Sequence, residues 1–124
     1  MYSSFGYNGG ITAPQKTATL AGYDILKDGG TAIEAMVAAA ATIAVTYPHM
    51  NGVGGDAFWL IKKDNQEPIG ISGCGSAAAN SSIDWYEERG ISEQIPSRGG
   101  LSCVTVPGAV ASWAKALSLV AKPM

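Results

Sequence analysis

The chain has 124 residues, 47% of them hydrophobic and only 15% charged, so it forms one domain at most and has little charge to dress a surface. Its net charge is -2, and Lys16, Lys27, Lys62, Lys63, Arg89, Arg98, Lys115 and Lys122 are scattered, which excludes the basic patch that nucleic-acid binding requires. Cys74 and Cys103 lie far apart without CxxC spacing or a histidine cluster, so neither a structural metal site nor a disulfide framework is expected.

The opening "MYSSFGYNGG" has no positive region leading into an apolar stretch. No secretory leader is therefore visible, and a cytoplasmic location with reduced thiols is expected. Ile11-Thr12-Ala13 is predicted as a short strand ended by Pro14. From Gln15 to Asp28 the spacing is helical, with Ala18, Ala21, Ile25 and Leu26 on one side and Gly29-Gly30 as the stop. Thr31 to Glu34, "TAIE", reads as a capping box opening an Ala-rich helix over Ala32–Thr46. The apolar run Ala35–Val45, broken only by Thr42, falls well short of the roughly 20 residues that span a bilayer. It predicts a central, buried helix rather than a membrane segment.

Asp56–Lys62 reads as a strand, "KDNQEP" as a polar turn and Ile69–Ser72 as a second strand, together an antiparallel hairpin. "GCGSAAANSS" is a loop of small residues; Ser82–Arg89 is predicted as a short helix anchored by Trp85. Gly99–Thr105 is a strand candidate broken by Pro107-Gly108, and Ala109–Val120 an amphipathic helix. The order β-α-α-β-β-α-β-α predicts an α+β arrangement rather than alternating βαβ units. The scarcity of charge predicts a surface covered by more chain, a second subunit or another domain; "AKALSLVAKPM" runs out at or just after a helix, and the expectation is a single incomplete domain, 1–124.

The glycine-rich stretch "TYPHMNGVGGDAFWLI" invites three readings. Gly52 to Ala57 formally matches the dinucleotide fingerprint G-x-G-x-x-A, but that chemistry needs a strand before the loop and a helix after it. Here a helix precedes and a strand follows, so the glycines are read as a tight helix-to-strand bend. His49 is open to two roles, general base or hydrogen-bonding brace for the loop. No nucleophile lies near it in sequence and no G-x-S-x-G elbow occurs anywhere, so the brace is adopted. Asp56 is likewise expected to cap exposed N–H groups of the glycine turn rather than to act in catalysis.

Taken together, "ITAPQKTATLAGYDILKDGGTAIEAMVAAAATIAVTYPHMNGVGGDAFWLI" resembles the N-terminal part of the γ-glutamyltransferase family, and "GGLSCVTVPGAVASW" is similar to that family's "VPG" segment. The resemblance runs from about Ile11 to Leu117. It implies an N-terminal-nucleophile (Ntn) hydrolase with a partial four-layer αββα sandwich. Such a precursor cuts itself and uses a freed N-terminal threonine as nucleophile, with the threonine's own amino group as base. That threonine lies downstream of the large-subunit region seen here. The chain is thus expected to be inactive alone, to need the remainder of its own precursor as partner, and to use no cofactor and no metal. No residue of this chain is assigned a catalytic role; Cys103 and Thr105 are not supported as nucleophiles.

One departure bears on substrate. Family members that take γ-glutamyl donors carry "GRE-x-AP" after the second strand, its arginine pairing with the donor α-carboxylate in a charge-assisted, typically bidentate contact. This chain reads "GCGSAA", which puts Cys74 at the arginine position and Gly75 at the glutamate position. Cys74 and Arg98 are therefore the candidate substrate-binding residues: Cys74 as a neutral replacement, Arg98 as an alternative cation for a small acidic substrate or simply a strand-edge arginine. "YPHMNGVGGDAFWLI" and "IPSRGG" are similar to the oxamate amidohydrolase branch, so the substrate is expected to be a small amide or γ-glutamyl compound. A different class, a non-catalytic scaffold or binding module of the same fold, is the alternative.

Overall fold

The computed structural model describes residues 6–121. The first half of the stretch read for a leader and the last three residues of the 1–124 assignment lie outside them. Its elements are α1 (Lys16–Lys27), α2 (Ala32–Thr46), β1 (Phe58–Ile61), β2 (Ile69–Ser72), α3 (Ile83–Glu87), a 3-10 turn (Gly100–Ser102) and α4 (Ala109–Leu117).

The helix pair is specified by its ends and by its small residues. Gln15 Oε1 accepts from the Ala18 amide at 3.1 Å and opens α1. Its exit is a Schellman closure: Gly30 N donates to Ile25 O at 2.9 Å and Gly29 N to Leu26 O at 3.2 Å, with Gly29 at φ 91°. Both halves of the capping box on α2 are made, Glu34 N to Thr31 Oγ1 at 3.3 Å and Thr31 N to Glu34 Oε2 at 2.8 Å. Ala18 and Gly22 on α1, Ala35 and Ala39 on α2, each four residues apart, are the buried positions of the two helices. A Cβ at Gly22 would stand 2.8 Å from Ala35 O, so the helices meet there nearly backbone to backbone.

β1 and β2 form the expected antiparallel hairpin, pairing Phe58 with Ser72, Trp59 with Ile71, Leu60 with Gly70 and Ile61 with Ile69. Pairing continues one step beyond the strands: Gly73 N donates to Ala57 O at 2.8 Å and Ala57 N to Gly73 O at 3.3 Å. Asn65, at φ 57°, supplies the left-handed residue of the turn. The hairpin packs onto α4 through one face. Trp59 Nε1 donates to Ser112 Oγ at 3.0 Å, and Ser112 Oγ donates on to Ala109 O at 2.6 Å, so this buried hydroxyl is fully used.

Three expectations are corrected. Ile11–Ala13 is not a strand; the Ala13 amide donates to Thr19 Oγ1 at 3.1 Å, folding the segment back on α1. Gly99–Thr105 is not a strand either. With Gly99 at φ 93°, the amides of Ser102 and Cys103 turn inward to Gly99 O and Gly100 O, leaving one isolated bridge between Thr105 and Ala77. And α2 is not enclosed on all sides: Val45 is 77% exposed and Met36 44%, because among the described residues this helix packs mainly on α1, with a smaller contact to α4. No helix among them is long and apolar enough to cross a membrane.

Candidate functional site

Three short segments cross where the hairpin leaves its strands: 55–57 before β1, 73–77 after β2, and 105–109 before α4. Their closeness is a consequence of glycine. A Cβ on Gly73 would lie 2.5 Å from Ser112 Cβ and 2.6 Å from Ala57 O; one on Gly108 would lie 2.2 Å from Gly73 O. At Gly75 the conflict is greatest, 1.6 Å from Val106 O. No side chain fits at these three positions without backbone movement. Cys74 is the side chain left between two of them, and it is exposed.

The crossing is knitted by main-chain hydrogen bonds. Gly55 O accepts from Gly108 N at 3.1 Å and from Ala109 N at 2.9 Å. It thereby satisfies amides at the start of α4, which has no side-chain cap of its own. Val106 N donates to Ser76 O at 3.0 Å, beside the Thr105–Ala77 bridge. One side chain joins in: Asp56 Oδ1 accepts from Gly75 N at 3.1 Å. Asp56 thus caps an amide of the opposite loop, 19 residues away, rather than its own glycine turn as expected from sequence. Nothing within the turn foretold this, since it depends on how Gly55 is used.

Arg98 sits on the loop between α3 and the 3-10 turn, next to Gly99, and is exposed. It makes no hydrogen bond or ion pair among the described residues, and nothing of that kind links it to Cys74. Arg89, by contrast, has local partners, stacked 3.8 Å over the Trp85 ring and bonded to Trp85 O at 2.8 Å. Buried Tyr86 reaches from α3 to Leu101 O at 3.2 Å and ties the 3-10 turn in place. It also lines a cleft of about 400 Å³ with Ile83, Ile91, Ile95 and Val104, which neither Cys74 nor Arg98 lines.

His49 is exposed, and its ring lies 4.3 Å from that of Tyr47 with the planes tilted by 59°. The expected hydrogen-bonding brace is not formed: among the described residues the His49 side chain meets only the Tyr47 ring, two residues back at the helix exit, and not the glycine bend. Cys103 and Cys74 lie to opposite sides of the Ala77–Thr105 bridge, and both are free thiols.

A capped helix pair, an antiparallel hairpin and a glycine crossing make up a mixed α+β unit. Residues 18–122 match the family described as gamma-glutamyltranspeptidase, and the chain belongs to that family. It is 44% identical over 117 residues to the oxamate amidohydrolase proenzyme of Klebsiella pneumoniae subsp. pneumoniae, covering 94% of this chain and 22% of that protein. To the glutathione hydrolase-like YwrD proenzyme of Bacillus subtilis it is 41% identical over 104 residues, 83% of this chain and 19% of the other. Among solved structures, a gamma-glutamyltranspeptidase from Pseudomonas nitroreducens complexed with L-DON has a TM-score of 0.77 and 31% identity, covering 91% of this chain and 34% of that one. The chain thus spans about a fifth of the length of these curated relatives.

Proposed function

We propose that this chain forms the N-terminal part of the large subunit of a γ-glutamyltransferase-like Ntn hydrolase that cleaves small amides. In this reading residues 1–124 are one incomplete domain of an αββα sandwich. The remainder of the precursor supplies the second layer pair and the nucleophile. Two proenzyme relatives with amide-cleaving names support it, as does the uncovered hairpin face, where Phe58 is 72% and Leu60 82% exposed.

The chemistry follows from the threonine that autoprocessing frees. Its Oγ attacks the amide carbonyl while its α-amino group takes the hydroxyl proton and passes it to the leaving amine. The acyl–threonine ester is then cut by water, or by an amine acceptor in a transfer. Within this chain the work is donor recognition. The observation that carries the substrate reading is Cys74, an exposed thiol held between Gly73 and Gly75, at the position to which the resemblance assigns the arginine of γ-glutamyl-accepting members. A thiol offers neither charge nor a bidentate fork, so a donor α-carboxylate loses its main counter-charge there. Arg98, exposed and uncommitted, is the cation available for a small acidic amide. Hydrolysis of oxamate and of γ-glutamyl-p-nitroanilide by the complete, matured protein tests this, with Arg98→Ala expected to raise KM for oxamate. An unchanged KM in that variant removes Arg98 from the site.

A further inference from the structure

We infer that Asp56 is a positioning residue for the donor-recognition loop: its carboxylate stands in for a backbone carbonyl and fixes the main chain that carries Cys74. This deepens the proposed function and rests on it as far as Cys74 faces the donor.

The register of the hairpin carries the inference. Ala57 and Gly73 exchange both of their hydrogen bonds, Gly73 N to Ala57 O at 2.8 Å and Ala57 N to Gly73 O at 3.3 Å. In an antiparallel ladder the next such pair lies two residues further along each chain, which is Gly55 with Gly75. Gly75 N would therefore donate to Gly55 O. That carbonyl is already taken, because it accepts from Gly108 N and Ala109 N at the start of α4. The ladder would end at Gly73 and leave the Gly75 amide without a protein partner. Asp56 Oδ1 accepts it instead, at 3.1 Å. One carbonyl caps a helix, one carboxylate extends a sheet, and both jobs are done by adjacent residues.

The consequence falls on residue 74. Its two neighbours are held on either side, Gly73 by Ala57 and Gly75 by Asp56, while the Cys74 amide itself has no partner among the described residues. Every other clamp at the crossing is main chain to main chain. Asp56 is the one clamp that a side-chain substitution removes while leaving the backbone bonds intact. It is exposed, so its removal opens no cavity. Gly75 cannot be held by packing of its own side chain, having no room for one.

Amide hydrogen exchange on the complete, matured protein tests the clamp without any donor. Gly75 is expected to exchange at least about tenfold more slowly than Cys74, since only Gly75 is hydrogen-bonded. Equal rates at the two amides overturn the inference. In the same protein Asp56→Ala should raise KM for the hydrolysed amide, oxamate or γ-glutamyl-p-nitroanilide, by about tenfold with kcat within about twofold, the worth of one hydrogen bond to a charged acceptor. Asp56→Asn keeps a neutral acceptor oxygen and should bring KM back to within about threefold of the parent. A KM unmoved in Asp56→Ala, or raised equally in Asp56→Asn, contradicts it. A parent protein that cleaves neither amide sinks the proposed function alone; the exchange rates at Gly75 and Cys74 still decide the clamp.

Discussion

Cys74 and Gly75 show how differently two neighbouring residues can be read. Cys74 stands out in sequence because an arginine is expected there from the resemblance, and its chemistry can be argued from the side chain alone. Replacing it tests that chemistry: Cys74→Arg in the complete protein should raise kcat/KM for γ-glutamyl-p-nitroanilide by about thirtyfold or more, the order of one desolvated charge pair. No gain in that assay would remove residue 74 from donor binding. By the resemblance, Gly75 stands where a glutamate is expected. Its position is instead occupied by the Val106 carbonyl, 1.6 Å from where a Cβ would be. Gly75→Ala should accordingly cost about 1–3 kcal/mol and lower Tm by several degrees, read by calorimetry on the complete protein. A Tm equal to the parent would mean the three segments do not cross this closely. The Asp56–Gly75 bond was not legible at all, because it follows from the use of Gly55 by a helix more than fifty residues away.

Among the elements, those with local signals were legible and those settled by distant partners were not. The ends of α1 and α2 are written in "KDGGTAIE", where every hydrogen bond closes within six residues, so sequence and structure agree there. The hairpin is equally plain from its aromatic and β-branched strands. The 99–105 segment carries β-prone Val104 and Thr105, but the conformational freedom of Gly99 and Gly100 lets local turn bonds win. The "GVGGD" bend is legible from its glycines, whereas its capping of α4 depends on a helix that lands on it from more than fifty residues away. Two substitutions test elements. Thr31→Ala removes the cap of α2 and should cost about 1 kcal/mol in chemical denaturation. Ser112→Ala leaves Trp59 Nε1 without its partner and should cost about 1–2 kcal/mol, with a shift in Trp59 fluorescence. A Ser112→Ala variant as stable as the parent would mean the hairpin is not pinned to α4 through that bond.

At the scale of the whole molecule, the low charge and abundant apolar residues noted in the composition have a structural counterpart. Among the described residues the buried hydrophobic ones are mostly alanines, Ala18, Ala35, Ala39, Ala109 and Ala116, with Ile61 and Tyr86, while Phe58, Leu60, Val45 and Ile83 face outward. Exposed apolar faces of that kind are ones that proteins cover with further chain or partners. The 124-residue chain alone should therefore bind a hydrophobic dye and lack a sharp thermal transition. A cooperative transition without any partner would contradict this. The membership of the chain in its family was legible because an ordered series of short motifs survives along it; its substrate rests on far fewer residues. The most direct test of the central claim is a side-by-side assay of the complete, matured protein with oxamate and γ-glutamyl-p-nitroanilide. Hydrolysis of oxamate with γ-glutamyl cleavage weaker by about thirtyfold or more is the expected result, and robust γ-glutamyl transfer would contradict it.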